Sequence, residues 1–303
     1  MVKRVLMIAF HFPPLRGSSG IQRTLKFARY LPEFGWAPIM LSAHPRAYPS
    51  TGQDQMQDIS AEMPLKRAFA LDTSRHLSRE GKYFMLMALP DLWSSWWLGA
   101  VPAGLRMIRK YKPDVIWSTY PIATAHLIAY ALHRLSGISC GADFRDPMIG
   151  EGYPPNPVVR RMYQWIECKT LNHCSQAVFT TLGSICDHRA RYPDDPAVRF
   201  SLIENGDDEE NFAATASDAP PSAIGNRPLL LIHSSIIYAS ERNPEPFFES
   251  LGQLLRLGAI SAANLRIVLI ATAHDAYLPP LIEKNSFGAI VYLSPPVPDR
   301  AAL

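Results

Sequence analysis

The strongest constraint on this chain is a repeated alternation of short apolar runs and segments with helical spacing. The first run, "KRVLMIAF", stops just before Pro13 and Pro14, and Ile21, Leu25, Ala28 and Leu31 then fall on one helical face. "APIMLSA", "DVIWST", "ISCGADFRD", "QAVFTT" and "FSLIENG" repeat the short run further along. Runs this brief and this apolar predict strands buried on both faces, the signature of a parallel sheet. The segments between them read as helices. Gly35 closes the first, Gly137 closes "IATAHLIAYALHRLSG", one covers roughly 157–175, and "GSICDHRARY" makes a short one. Residues 45–80 are polar and dotted with proline, and suggest no element. Strands alternating with helices predict an α/β fold with helices on both faces of the sheet.

The pattern breaks at "AATASDAPPSAIGNRP", an Ala-, Pro- and Ser-rich stretch that reads as a linker, and restarts at Pro228. "PLLLIHSS", "NLRIVLIAT" and "GAIVYLSPP" predict three further strands, with helices over "NPEPFFESLGQLLRLG" and "AYLPPLIEKN". The expected organisation is a first domain over 1–212, a linker over 213–227 and a second unit over 228–303. A doubly wound domain usually has five or six strands, so the second unit is expected to be incomplete. With 48 % hydrophobic and 19 % charged residues, the 303-residue chain can bury two cores. A net charge of +3 does not by itself point to nucleic acid. Cys140, Cys168, Cys174 and Cys186 form no C-x-x-C pair and suit reduced structural thiols in a cytoplasm. No window reaches the ~18 apolar residues of a membrane span.

The chemistry concentrates after the first and fourth strands read from the sequence. Ligands of open parallel sheets bind beyond the carboxyl ends of the strands. There "PPLRGSSG" offers Gly17 and Gly20 for close backbone approach, Ser18 or Ser19 as a helix cap, and Arg16 and Arg23 as cations. A helix N-terminus carries free N–H groups and a partial positive charge, so this loop suits phosphate. The loop matches neither G-x-G-x-x-G nor G-x-x-x-x-G-K-[ST], which argues against a dinucleotide cofactor and a P-loop. The plainer reading is a capped helix after a tight turn. "DFRD" places Asp143, Arg145 and Asp146 at another strand end, where three charges are expected to line a cleft rather than enter the core. An internal Asp–Arg brace is the alternative. His126, in an apolar helix, reads as a satisfied, half-buried histidine. The scattered histidines and absent H-E-x-x-H predict no zinc site, and no G-x-S-x-G or D-x-D occurs. "WSSWW" before a basic helix suits either a membrane interface or tryptophan packing.

These residues carry a resemblance. "FHFPPLRGSSGIQRTLKFARYLPEFGWAPIMLS" resembles the opening of family 4 glycosyltransferases of the GT-B type. "KPDVIWSTYPIATAHLIAYALHRLSGISCGADFRDPM", "AVFTT" and "IENGDDEENF" are similar to that family's later segments, and "LLLIHSSIIYASERNPEPFFESL" resembles the start of its donor domain. The resemblance implies two Rossmann-like domains and transfer of a sugar from a nucleotide-diphosphate sugar to a glycan or lipid-linked acceptor. It further implies retention of configuration, no bound metal or cofactor, and a cytoplasmic protein able to touch the inner face of the cytoplasmic membrane. By the same resemblance, Gly17, Ser18, Ser19 and Gly20 approach the donor diphosphate. Arg242 matches the second member of the family's basic pair, Ser235 replaces a frequent glycine, and Asp143, Arg145 and Asp146 shape the acceptor side. The family's E-x7-E segment has no counterpart in position: Glu241 and Glu249 have the spacing but fall on the unit's first helix. The alternatives to an active transferase are a non-catalytic glycan- or partner-binding remnant and a nucleotide-sugar epimerase.

Overall fold

The computed structural model describes residues 2–18, 20–53, 55–193, 200–209, 228–237, 243–272 and 277–295. The chain divides into two compact units, Met1–Gly206 and Asp207–Leu303. The first holds seven strands: β1 (Lys3–Ile8), β2 (Trp36–Ala43), β3 (Leu65–Ala68), β4 (Val115–Thr119), β5 (Cys140–Phe144), β6 (Gln176–Phe179) and β7 (Phe200–Leu202). They lie in the order β3-β2-β1-β4-β5-β6-β7, all neighbours parallel.

Successive side chains of a strand point to opposite faces, and β1 feeds two cores accordingly. Leu6, Ile8 and Phe10 join Ile39, Leu41, Ile116 and Phe144 on one face. Val5, Met7 and Ala9 join Leu25, Ala28 and Met40 on the other. The second face is covered by α1 (Gly20–Tyr30). After the short α2 (Thr73–His76), the first face receives α3 (Trp96–Tyr111), α4 (Ala123–Ser136) and α5 (Pro157–Leu171), and α6 (Leu182–Arg191) adds Ile185. Helices thus flank both faces, as the alternation of the sequence predicts. Each buried Leu, Ile or Phe contributes about 1.5–3 kcal/mol.

Local chemistry sets the helix ends. Asn156 caps α5, its side chain accepting from the N–H groups of Val158 and Val159, and Pro157 takes the first position, where no N–H is needed. Thr181 caps α6 by accepting from Ser184 N–H. Gly137, at φ +73°, closes α4 in the left-handed region. Beneath α5 and α6, Glu167 is fully buried, 2.6 Å from His188 Nε2, and the Tyr192 hydroxyl donates to it at 2.9 Å.

Two expectations about this unit change. β3 falls inside residues 45–80, where no element is legible, because a four-residue strand with one buried side chain leaves almost no periodicity. The tryptophans of "WSSWW" pack inward: Trp96 is fully buried, and Trp93 and Trp97 rest against the same core. Trp93 Nε1 donates to the Ala47 carbonyl. The packing alternative therefore holds at these rings. His126 is fully rather than half buried.

The second unit contains β8 (Leu229–Ser234), β9 (Leu265–Ile270) and β10 (Val291–Ser294), parallel in the order β10-β9-β8. α7 (Glu245–Arg256) and α8 (Leu278–Lys284) supply Phe248, Leu251, Leu278 and Ile282 to a core with Ile267, Leu269 and Val291. The proposed linker, 213–227, lies outside the described residues. No helix among the described residues is long and apolar enough to cross a membrane.

Candidate functional site

The strand order reverses direction between β1 and β4, and the crevice outside the carboxyl ends at such a point is where open α/β sheets take ligands. Three segments meet there: the loop after β1, the turn after β4 and the end of β5. Arg145 follows β5, and its side chain is only 9 % exposed. Its guanidinium lies over Gly20, the first residue of α1: a Cβ built there would collide with the Arg145 Nη1 and the His11 ring. Only glycine allows that approach. Arg145 Nε is buried and makes no hydrogen bond; Asp146 Oδ2, on an exposed side chain, stands 3.6 Å away. The Arg145 carbonyl accepts from Thr180 Oγ1 at 2.6 Å, which anchors the backbone beneath the cation.

His11 completes the floor. Its Nδ1 is 2.8 Å from Ser18 Oγ, and Ser18 Oγ accepts from Gly20 N–H at 3.2 Å. The Ser18 carbonyl accepts from Ile21 N–H. Burial and the adjacent Arg145 charge lower the His11 pKa to about 4, so the ring is neutral at pH 7. Positive charge at this place is thus concentrated in Arg145 and the N-terminal end of the α1 dipole. Gly17 is exposed at φ +81°, a left-handed conformation that favours glycine. Ser19 lies outside the described residues.

Asp143 requires a correction. The sequence argument placed it on a cleft wall because an unpaired buried charge is costly. The carboxylate is in fact fully buried, and it is paired. Arg23 of α1 donates to it through Nε at 3.0 Å and Nη2 at 2.9 Å, and Thr119 Oγ1 donates at 2.8 Å. Arg23 also reaches the carbonyls of Ile203 and Glu204. This is the internal brace held as the alternative. Asp143 and Arg23 position the loop after β1 and the segment after β7, and neither is available to a ligand. Arg23 is therefore committed to the internal brace, and Arg145 is the cation beside the end of α1.

Sequence reasoning missed His11, which sits in the apolar "FHFPP", and it missed a tyrosine wall. Tyr120, just after β4, packs edge-on against Tyr163 at 6.5 Å and stacks on His126 at 6.4 Å. Burial first, then neighbouring Tyr163, Tyr153 and Asp146, push the Tyr120 hydroxyl far above its ordinary range. No sequence signal marks these rings, because aromatic residues near strand ends usually pack the core. Asp91 accepts from the N–H and hydroxyl of Thr124 at 2.8 and 2.9 Å and holds the start of α4.

In the second unit Ser235 follows β8, its carbonyl 3.2 Å from His233 Nε2, and Glu249 lies on α7. Arg242 and Glu241 lie outside the described residues. Among the described residues no group of three or more His, Cys, Asp or Glu could hold a metal ion.

No family model and no curated protein matches the chain. Solved structures do. A sucrose-phosphate synthase from Thermosynechococcus elongatus aligns with a TM-score of 0.66 at 12 % identity, covering 99 % of this chain and 72 % of its own. Anabaena HepE, solved with UDP, aligns at 0.57 and 10 % identity, covering 98 % and 70 %. A UDP-N-acetylglucosamine 2-epimerase from Rickettsia bellii aligns at 0.51 and 13 % identity, covering 99 % and 70 %. At these identities the likeness is one of fold: the chain has the α/β architecture of GT-B glycosyltransferases, which the epimerase shares.

Proposed function

We propose that the chain is a GT-B glycosyltransferase of the family 4 kind, moving a sugar from a nucleotide-diphosphate sugar to a glycan or lipid-linked acceptor. The observation that carries the reading is the buried Arg145, whose Nη1 lies over Gly20 at the N-terminus of α1. A preorganised cation and the positive end of a helix dipole stabilise the negative charge that develops on a leaving diphosphate. The cradle is Gly17, Ser18, Ser19 and Gly20, with His11 kept neutral beneath it. A neutral His11 leaves the anion to Arg145 and supplies a hydrogen-bonding ring without a second desolvated charge. Asp146, exposed beside Arg145, faces the acceptor. In the second unit Ser235 and Arg242 are assigned to the donor. Transfer proceeds with retention and needs no metal in this reading.

The test is thermal melting of the 303-residue chain with UDP, GDP and their sugars, since a ligand of the folded state raises the melting temperature by mass action. One nucleotide is expected to raise it, and Arg145→Ala to remove the rise. Absence of a shift with every nucleotide in the folded chain overturns the reading in favour of a non-catalytic binding module. The epimerase likeness motivates a second reading. Release of free nucleotide and an altered sugar, with no acceptor present, is its signature.

A further inference from the structure

The fold buries the tryptophans of "WSSWW" and leaves a different apolar stretch outside. Residues 79–87, "REGKYFMLM", are exposed throughout. Phe84 and Leu86 are 77 % and 80 % exposed, and Tyr83, Met85 and Met87 are 41 %, 44 % and 46 % exposed. The backbone beneath them is held in place. Thr73 Oγ1 donates to the Met87 carbonyl at 2.9 Å, the Ser94 hydroxyl donates to the same carbonyl, and Arg79 and Lys82 exchange backbone hydrogen bonds. The side chains thus stand on a fixed lip.

The lip continues onto a helix. Asn156 Nδ2 lies 3.8 Å from Met85 Sδ, and α5 begins at the next residue. Val158, Arg161 and Trp165, spaced by three and four, share one face of α5 and are all exposed. Soluble monomers rarely show contiguous apolar patches beyond a few hundred Å², and larger ones mark a protein or membrane contact.

The charge around the patch selects between these. Residues 79–87 and the start of α5 carry Arg79, Lys82, Arg160 and Arg161 with Glu80 and, just before α5, Glu151: four cations against two carboxylates. Arg160 is committed to the carbonyls of Gly150 and Tyr153. Arg79, Lys82 and Arg161 form no ion pair among the described residues. Apolar side chains, a tyrosine and a tryptophan ringed by free cations match an anionic lipid surface, which offers an acyl boundary and phosphates together. A second copy of this corner would set its cations against like charge.

We propose that this lip docks the first unit on an anionic lipid bilayer. Phe84 and Leu86 enter the boundary between headgroups and acyl chains, and Arg79, Lys82 and Arg161 meet the headgroup phosphates. The docking stands on the surface alone. Only its extension to a lipid-borne acceptor rests on the transferase reading.

The test is flotation of the full chain with vesicles of phosphatidylcholine containing roughly one-third phosphatidylglycerol, against phosphatidylcholine alone, without nucleotide. The chain is expected to float with the anionic vesicles and to be released by high salt. Phe84→Ser/Leu86→Ser should weaken binding at least about tenfold, because each buried Phe or Leu is worth about that factor or more. These side chains are exposed, so the melting temperature is expected to hold. Arg79→Glu/Lys82→Glu, a second variant independent of the first, should abolish the preference for anionic lipid. Failure of the wild-type chain to float, or equal flotation of both variants, overturns the proposal. A dimer that Phe84→Ser/Leu86→Ser dissociates, with no vesicle binding, overturns it in favour of a second copy. Loss of the nucleotide-induced melting shift bears on the transferase reading and is measured separately.

Discussion

Removing the Asp143 carboxylate tests the distinction between brace and catalyst most directly. Asp143 is fully buried and accepts three hydrogen bonds, two from Arg23 and one from Thr119. Asp143→Ala leaves the Arg23 side chain, 5 % exposed, with carbonyls and the Asn205 side chain but no counter-charge. Breaking a buried pair from one side costs about 3–5 kcal/mol. With a urea slope of about 2 kcal/mol per M, the midpoint should fall by about 1.5–2.5 M. The assay is specific because all six tryptophans, at 36, 93, 96, 97, 117 and 165, lie in Met1–Gly206. Their fluorescence reports the first unit alone. Arg23→Met should cost a similar amount. The double variant should cost clearly less than the sum, since no buried charge is then left unpaired. A shift below about 1 kcal/mol for Asp143→Ala, or strict additivity in the double variant, would refute the brace.

Acid should loosen this unit through its neutral histidines. His11, at about 4, and the fully buried His126, lowered by burial to about 3, both lie below the ordinary value of 6.5. The unfolded chain therefore binds more protons, and stability is full above pH 6.5 and is lost as the pH falls toward these values. Each histidine should cost about 2 kcal/mol between pH 7 and pH 5. Urea midpoints across that range check it: His11→Asn should remove about half of the slope, and an unchanged slope contradicts the assignment. Gly20→Ala drives a methyl group into Arg145 and His11, so it should at least halve the nucleotide-induced melting shift. Gly17→Val places a β-branched residue at φ +81° and should cost about 1–3 kcal/mol of stability. Melting curves of both variants with and without nucleotide separate the two effects, and a full shift in Gly20→Ala contradicts the site.

Most of the architecture was legible because its signal is local. Apolar runs such as "VLMI" and "IML" are uniform since both faces of the sheet are covered, and a helix end such as Gly137 acts within a few residues of itself. β3 escaped because one buried side chain carries no period. The loop from Pro13 to Gly20 stood out as a candidate site from its glycines, serines and position after a strand. The partners of that loop were not readable.

The sequence alone determined the α/β class and the division into two units. The tertiary structure decided which charges are internal and which are offered. Asp143 and Arg145 are two residues apart, and Arg23 lies more than a hundred positions away from either. Only the sheet order, which sets β1 against β4 and β4 against β5, brings Arg23 onto Asp143 and leaves Arg145 over the end of α1. The same folding buries Trp96 and exposes Phe84 and Leu86. Side chains of one composition are sorted by long-range packing, and packing depends on which elements become neighbours in space rather than along the chain.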